Sequence, residues 1–145
     1  MGIRQRIIVI MDSNMLISIS SGQIPPSLID QALESSYVIG IPKAVVRELR
    51  HLSETAPIQK TRKLAKKALE LLSSGRIQYT ILEEKGYKDV DDEIVALALD
   101  YRDRGYRVIV ATNDKGLRRR LKTHNIPTLY YRESESLLEA DWLPP

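Results

Sequence analysis

Ile7-Ile8-Val9-Ile10-Met11, followed by Asp12-Ser13-Asn14, is the stretch from which the fold can be read. Five consecutive apolar residues with no polar alternation describe a strand covered on both faces, the pattern of a central strand in a parallel sheet. The strand stops on an acid, which places the Asp12 carboxylate at its C-terminal end. In open α/β sheets, ligands bind in the crevice beyond those ends. Asp12 is therefore the first candidate site residue.

A second stretch of the same kind lies a hundred residues on, where Arg107-Val108-Ile109-Val110-Ala111 runs into Thr112-Asn113-Asp114. Between and around the two, helical and extended patterns alternate. A short helix spans 14–18, and a second follows Pro25-Pro26 with Leu28, Ile29, Ala32 and Leu33 on one face. Tyr37-Val38-Ile39 reads as a strand closed by Gly40. A helix then starts at Ile41-Pro42, turns Val45, Val46, Leu49 and Leu52 inward and carries Glu48. The helix over 58–74 buries Leu64, Ala65, Ala68, Leu69, Leu71 and Leu72 and shows Lys60, Arg62, Lys63, Lys66 and Lys67 to solvent. Residues 77–80 form a further strand. Asp89-Val90-Asp91-Asp92-Glu93 opens a helix whose acidic start suits capping and the helix dipole. After Asp114 come a helix over 115–124, a strand over 128–131, and a tail whose Leu137, Leu138 and Trp142 pack back onto the body. This alternation predicts a three-layer α/β/α sandwich with a mainly parallel central sheet, a single domain over residues 1–145.

The 145 residues include no cysteine, which excludes disulfides and thiolate metal sites. No apolar run approaches the roughly 20 residues of a membrane span, and the N-terminus lacks a signal-peptide layout. A cytoplasmic protein with no membrane partner is the expectation. The formal charge of +3 permits a polyanionic partner without demanding one.

Right-handed crossovers make Asp12 and Asp114 neighbours. Glu48 and the Asp91-Asp92 pair fall where the same crevice would collect them. Taken singly, each acid has an ordinary explanation, as a helix cap or a solvated side chain. Taken together, carboxylates that converge with no Lys or Arg among them repel unless a cation sits there. Such hard oxygen ligands suit Mg²⁺ or Mn²⁺, ions that commonly serve phosphoryl transfer. Arg118-Arg119-Arg120 and Lys122 lie just beyond Asp114. They read either as a solvated helix face or as a phosphate-binding rim that attracts a polyanion to the acidic pocket. His51 and His124, the only histidines, read as surface residues.

In order, IIVIMDSN (7–14), IPKAVVRELR (41–50), DVDDEIVALAL (89–99) and VIVATNDKGLRRRL (108–121), followed by IPTLYYR (126–132), resemble a PIN-domain nuclease over nearly the whole chain. The ending is similar to archaeal relatives of the ribosomal-RNA-processing PIN endonucleases, and the whole more distantly resembles the VapC toxins. The resemblance implies an endoribonuclease that cleaves single-stranded RNA with Mg²⁺ or Mn²⁺ at an acidic pocket. Its first acid is Asp12, its helical acid Glu48 and its last acid Asp114. The third falls on the Asp91-Asp92 pair, where Asp92 is preferred by its spacing to Ile94-Val95 and Asp91 is an additional ligand. Asn14, Thr112 and Asn113 take supporting roles, orienting the carboxylates. The alternatives are a VapC-type toxin and an RNA-binding assembly protein with an idle pocket. A homodimer is also implied, with Ile24, Leu28 and Ile29 as a candidate face.

Overall fold

The computed structural model describes residues 6–141. The chain runs β1 (Ile7–Met11), α1 (Ser13–Ser20), α2 (Ser27–Leu33), β2 (Tyr37–Pro42), α3 (Lys43–Thr55) and α4 (Gln59–Ser74). It continues with β3 (Thr80–Leu82), α5 (Val90–Asp103), β4 (Arg107–Ala111), α6 (Lys115–Thr123), β5 (Thr128–Arg132) and β6 (Leu137–Asp141). One sheet, in the order β3-β2-β1-β4-β5-β6, holds all six described strands. Its first four pairings are parallel, and only β6 runs antiparallel, against β5.

The apolar run of β1 is buried at every position because strands flank both its edges and helices cover both its faces. Each fully buried Ile or Leu contributes about 1.5–3 kcal/mol. Right-handed crossovers put α1 to α4 on one face and α5 with α6 on the other. The packing agrees, with α1, α3 and α4 in mutual contact and α5 against α6. α3 also reaches α5, which closes the C-terminal edge of the sheet. The chain leaves β1 towards β2 on one side and pairs it with β4 on the other. The reversal of strand order thus falls beside β1, where such folds open a crevice. No described helix is long and apolar enough to cross a membrane.

Several sequence expectations shift. β2 does not stop at Gly40 but runs through it to Pro42, so that Pro42 caps α3 instead of lying inside it. A Cβ on Gly40 would stand 3.0 Å from the side chains of Ile8 and Leu82, so a larger residue here would require the neighbouring strands' side chains to shift. The strand expected over 77–80 forms at Thr80–Leu82 instead, because pairing with β2 starts at Gly40–Thr80. Ahead of it, the Tyr79 hydroxyl donates to the Leu72 carbonyl at 2.9 Å, which ties this segment to α4. Leu64 and Leu69 are half-buried. The tail is a strand, β6, with Leu138 buried; Trp142 lies outside the described residues. Ile24 and Ile29 belong to the core, at 2% and 1% exposure, so they supply no dimer face.

Gly40→Val is expected to lose about 1–3 kcal/mol by overpacking. Urea denaturation measures it, and an unchanged midpoint would show that the site has room.

Candidate active site

The turn from β1 into α1 sets Asp12 in an extended conformation as the N-cap of α1. One carboxylate oxygen accepts the Met15 backbone N–H at 2.8 Å and the other accepts the Thr112 hydroxyl. Asp12 is only 7% exposed. Burial pushes its carboxyl up to about 6, an effect that the hydrogen bonds from Thr112 and Met15 oppose and the charges of Asp91 and Asp114 increase.

Thr112, fully buried at the end of β4, joins the two strand ends. Its hydroxyl donates to Asp12 and accepts the Asp114 backbone N–H at 3.1 Å. Asp114 then caps α6 by accepting the Leu117 N–H at 2.7 Å. Gly116 keeps the first turn of α6 open beside that carboxylate, since a Cβ there would lie 3.3 Å from its oxygen.

Glu48 enters from α3, where the Ser13 hydroxyl donates to it. Ser13 was quoted in the opening motif but given no role by sequence reasoning. Its signal was its position, the first helical residue after a strand-ending acid.

The two acids of α5 part company. Residues 91 and 92 stand about 100° apart around the helix, so their side chains leave it in different directions. Asp92 turns to α6 and pairs with Arg120 at 2.7 Å. Asp91 turns to the strand ends. Burial raises its carboxyl above the ordinary range, and so do the charges of Asp114, Asp89 and Glu48, while Arg120 lowers it. The structure therefore brings Asp91 within electrostatic reach of Asp12, Asp114 and Glu48, and directs Asp92 to an ion pair.

Among the supporting residues, Thr112 touches the carboxylates. Asn113 instead exchanges two hydrogen bonds with the Tyr131 backbone, at 3.0 and 2.9 Å, and fastens the loop to β5. Asn14 is exposed on the first turn of α1. Arg118 lies 3.6 Å over the Tyr130 ring. Arg119 and Lys122 are exposed, as are both histidines. A broad hollow of about 1390 Å³ lies at the opposite, N-terminal ends of the strands, among Arg6, Tyr37, Arg76 and Arg107. It is remote from the carboxylates, and there the Tyr37 hydroxyl donates to Asp30 at 2.7 Å.

With this geometry in hand, comparison with known proteins assigns the chain: residues 9–134 match the family described as PIN like domain, and the chain belongs to that family. It is 29% identical over 134 residues to ribonuclease VapC4 of Methanocaldococcus jannaschii, covering 88% of this chain and 92% of that one. Its fold is similar to that of the PIN domain endonuclease Utp24, with a TM-score of 0.69 at 23% identity over 94% of this chain and 92% of the other. It is also similar to a domain of a functionally unknown protein from Methanocaldococcus jannaschii, with a TM-score of 0.59 at 20% identity over 86% and 91%.

The donor set fits a hard divalent cation in chemistry and charge: carboxylates only, with Asp12 raised partly by two neighbours of its own sign. Among the described residues, no three Asp, Glu or His side chains converge closely enough to hold an ion as they stand.

The raised Asp12 carboxyl has a measurable consequence. The native state holds this proton more tightly than the unfolded chain, so stability falls as pH rises from about 4 to 6. Above that window, ionised Asp12 costs the fold up to about 3 kcal/mol. In metal-free buffer, Asp12→Asn is expected to be more stable than the natural chain by about 1–3 kcal/mol at pH 8, with no gain below pH 4. Denaturation at the two pH values checks this, and an equal effect at both would mean that charge is not the cause.

Proposed function

We propose that this chain is an endoribonuclease that hydrolyses phosphodiester bonds of single-stranded RNA with Mg²⁺ or Mn²⁺. The observation that carries the proposal is the gathering of Asp12, Glu48, Asp91 and Asp114 at the C-terminal strand ends of a PIN-like chain. Asp12, Asp91 and Asp114 would hold the cation and Glu48 would complete the acidic wall. A bound divalent ion supplies charge neutralisation at the phosphate and a more acidic water.

The residues of the chain provide the positioning. Asp12 is held at both oxygens, by Met15 and by Thr112, so its orientation survives the approach of a polyanion. Asp114 is fixed through one oxygen by the start of α6, and Glu48 is steadied by Ser13. The Arg120 pair keeps Asp92 out of the cleft. Arg119 and Lys122, exposed on α6 and without ion pairs among the described residues, are placed to take substrate phosphates. Arg118, stacked on Tyr130, extends that rim.

We place the activity in ribosomal-RNA maturation in the cytoplasm, on the similarity of the 108–132 stretch to processing nucleases. A toxin role is the second reading, favoured by the likeness to ribonuclease VapC4. Growth arrest on induced expression would support the toxin, and accumulation of unprocessed ribosomal RNA on depletion would support maturation.

Labelled single-stranded RNA with Mn²⁺ is expected to be cut, and EDTA to stop the reaction. Asp12→Asn, Asp91→Asn and Asp114→Asn should abolish cleavage. Thr112→Val, which keeps the shape but loses both hydrogen bonds, should slow it by about 10- to 100-fold. Asp92→Asn should stay within about threefold of the natural rate, being an exposed ion pair. Cleavage that persists in Asp12→Asn would refute the assignment.

A further inference from the structure

Glu93 is 1% exposed, yet among the described residues no Lys or Arg side chain is bonded to it. Its two oxygens accept backbone N–H groups instead, from Lys85 at 2.7 Å and from Tyr87 at 3.1 Å. Burying a carboxylate is unfavourable unless such charge-assisted bonds offset it. This buried anion is committed to holding a loop in which every residue from 83 to 89 is exposed. Further ties fix the same loop: Lys85 pairs with Asp100 at 3.2 Å, Glu84 pairs with Arg47, and Gly86 supplies a φ of +98°.

The fixed loop displays Tyr87. At 52% exposure it is one of three large apolar side chains left open to solvent among the described residues, and the only aromatic one. It stands four positions before Asp91, a backbone span of at most about 14 Å. The adjoining Lys88 is exposed and has no ion pair among the described residues. An exposed aromatic ring on a tethered loop, beside a cation without an ion pair among the described residues and close in the chain to the acidic site, has the chemistry of a nucleobase platform.

We infer that Tyr87 is a base-stacking subsite that receives one nucleobase of the RNA next to the cleaved bond, with Glu93 as the residue that positions it. The inference rests on the ribonuclease reading. Stacking is tolerant of sequence because every base has a π-face, so the subsite sets the path of the strand and not its sequence.

Binding of labelled single-stranded RNA is measured in the Asp12→Asn background, which prevents cleavage. Tyr87→Ala is expected to weaken binding by about 5- to 100-fold. Tyr87→Phe should keep the affinity. The salt dependence should not change, because no phosphate contact is lost. RNA carrying one abasic nucleotide, moved along the strand, should reproduce the loss at one position and add nothing to Tyr87→Ala. In the otherwise natural chain, Tyr87→Ala should raise KM and leave kcat within about twofold. Unchanged affinity in Tyr87→Ala, or an equal loss in Tyr87→Phe, would overturn the subsite while leaving the nuclease intact. Absence of RNA binding in the Asp12→Asn parent would instead overturn the ribonuclease reading itself.

Discussion

Asp12 carries a charge where the surroundings oppose it, and much of the structure follows from making that tolerable. Its strand ends in the interior, between β2 and β4, so burial is imposed by the topology. Two neighbouring acids add to the difficulty. Relief comes from the start of α1, whose backbone N–H meets one oxygen, and from Thr112, whose hydroxyl meets the other. Because Thr112 also receives the Asp114 N–H, one hydroxyl couples the ends of β1 and β4, and the distance between the two acids is set by the core.

The same logic extends outward. Three helices, α1, α5 and α6, begin on an aspartate that caps them, and their positive dipole ends converge on a zone rich in negative charge. Partial positive charge from backbone therefore does part of what a Lys or Arg would do. Arg120, whose charge acts on Asp91, is paired with Asp92. What results is a site whose charge is unbalanced by design of the backbone, with its basic residues kept on the flank formed by α6.

Much of this was legible in the sequence because burial writes itself into composition. Two uninterrupted apolar runs, each ending on an acid, identified the central strands, the parallel sheet and the crevice. What stayed hidden depended on rotation and reach. Asp91 and Asp92 differ only by a turn of α5, and spacing to Ile94 cannot report which one faces the strand ends. Glu93 looked like a third N-terminal acid because its partners are the backbone N–H groups of Lys85 and Tyr87, which carry no residue signature. Ile24 and Ile29 looked available for a partner because an apolar residue in or beside a short helix does not disclose what covers it. The β6 strand was missed since its pairing with β5 depends on a turn at Ser136 in a left-handed conformation, which serine seldom adopts.

The capping role of the acids bears on how this architecture would decay. Asp114 anchors the first turn of α6, so a descendant chain relieved of any catalytic duty would still be under pressure to retain it for folding. Asp91 caps nothing. Among the clustered acids it is the one that accepts no hydrogen bond among the described residues, its structural reward being only a place in the first turn of α5, and a lineage that abandoned the chemistry would let it drift first. Within such a lineage, an intact aspartate at the start of α6 would say that the scaffold is sound, and the residue standing at position 91 would say whether the scaffold is still in use.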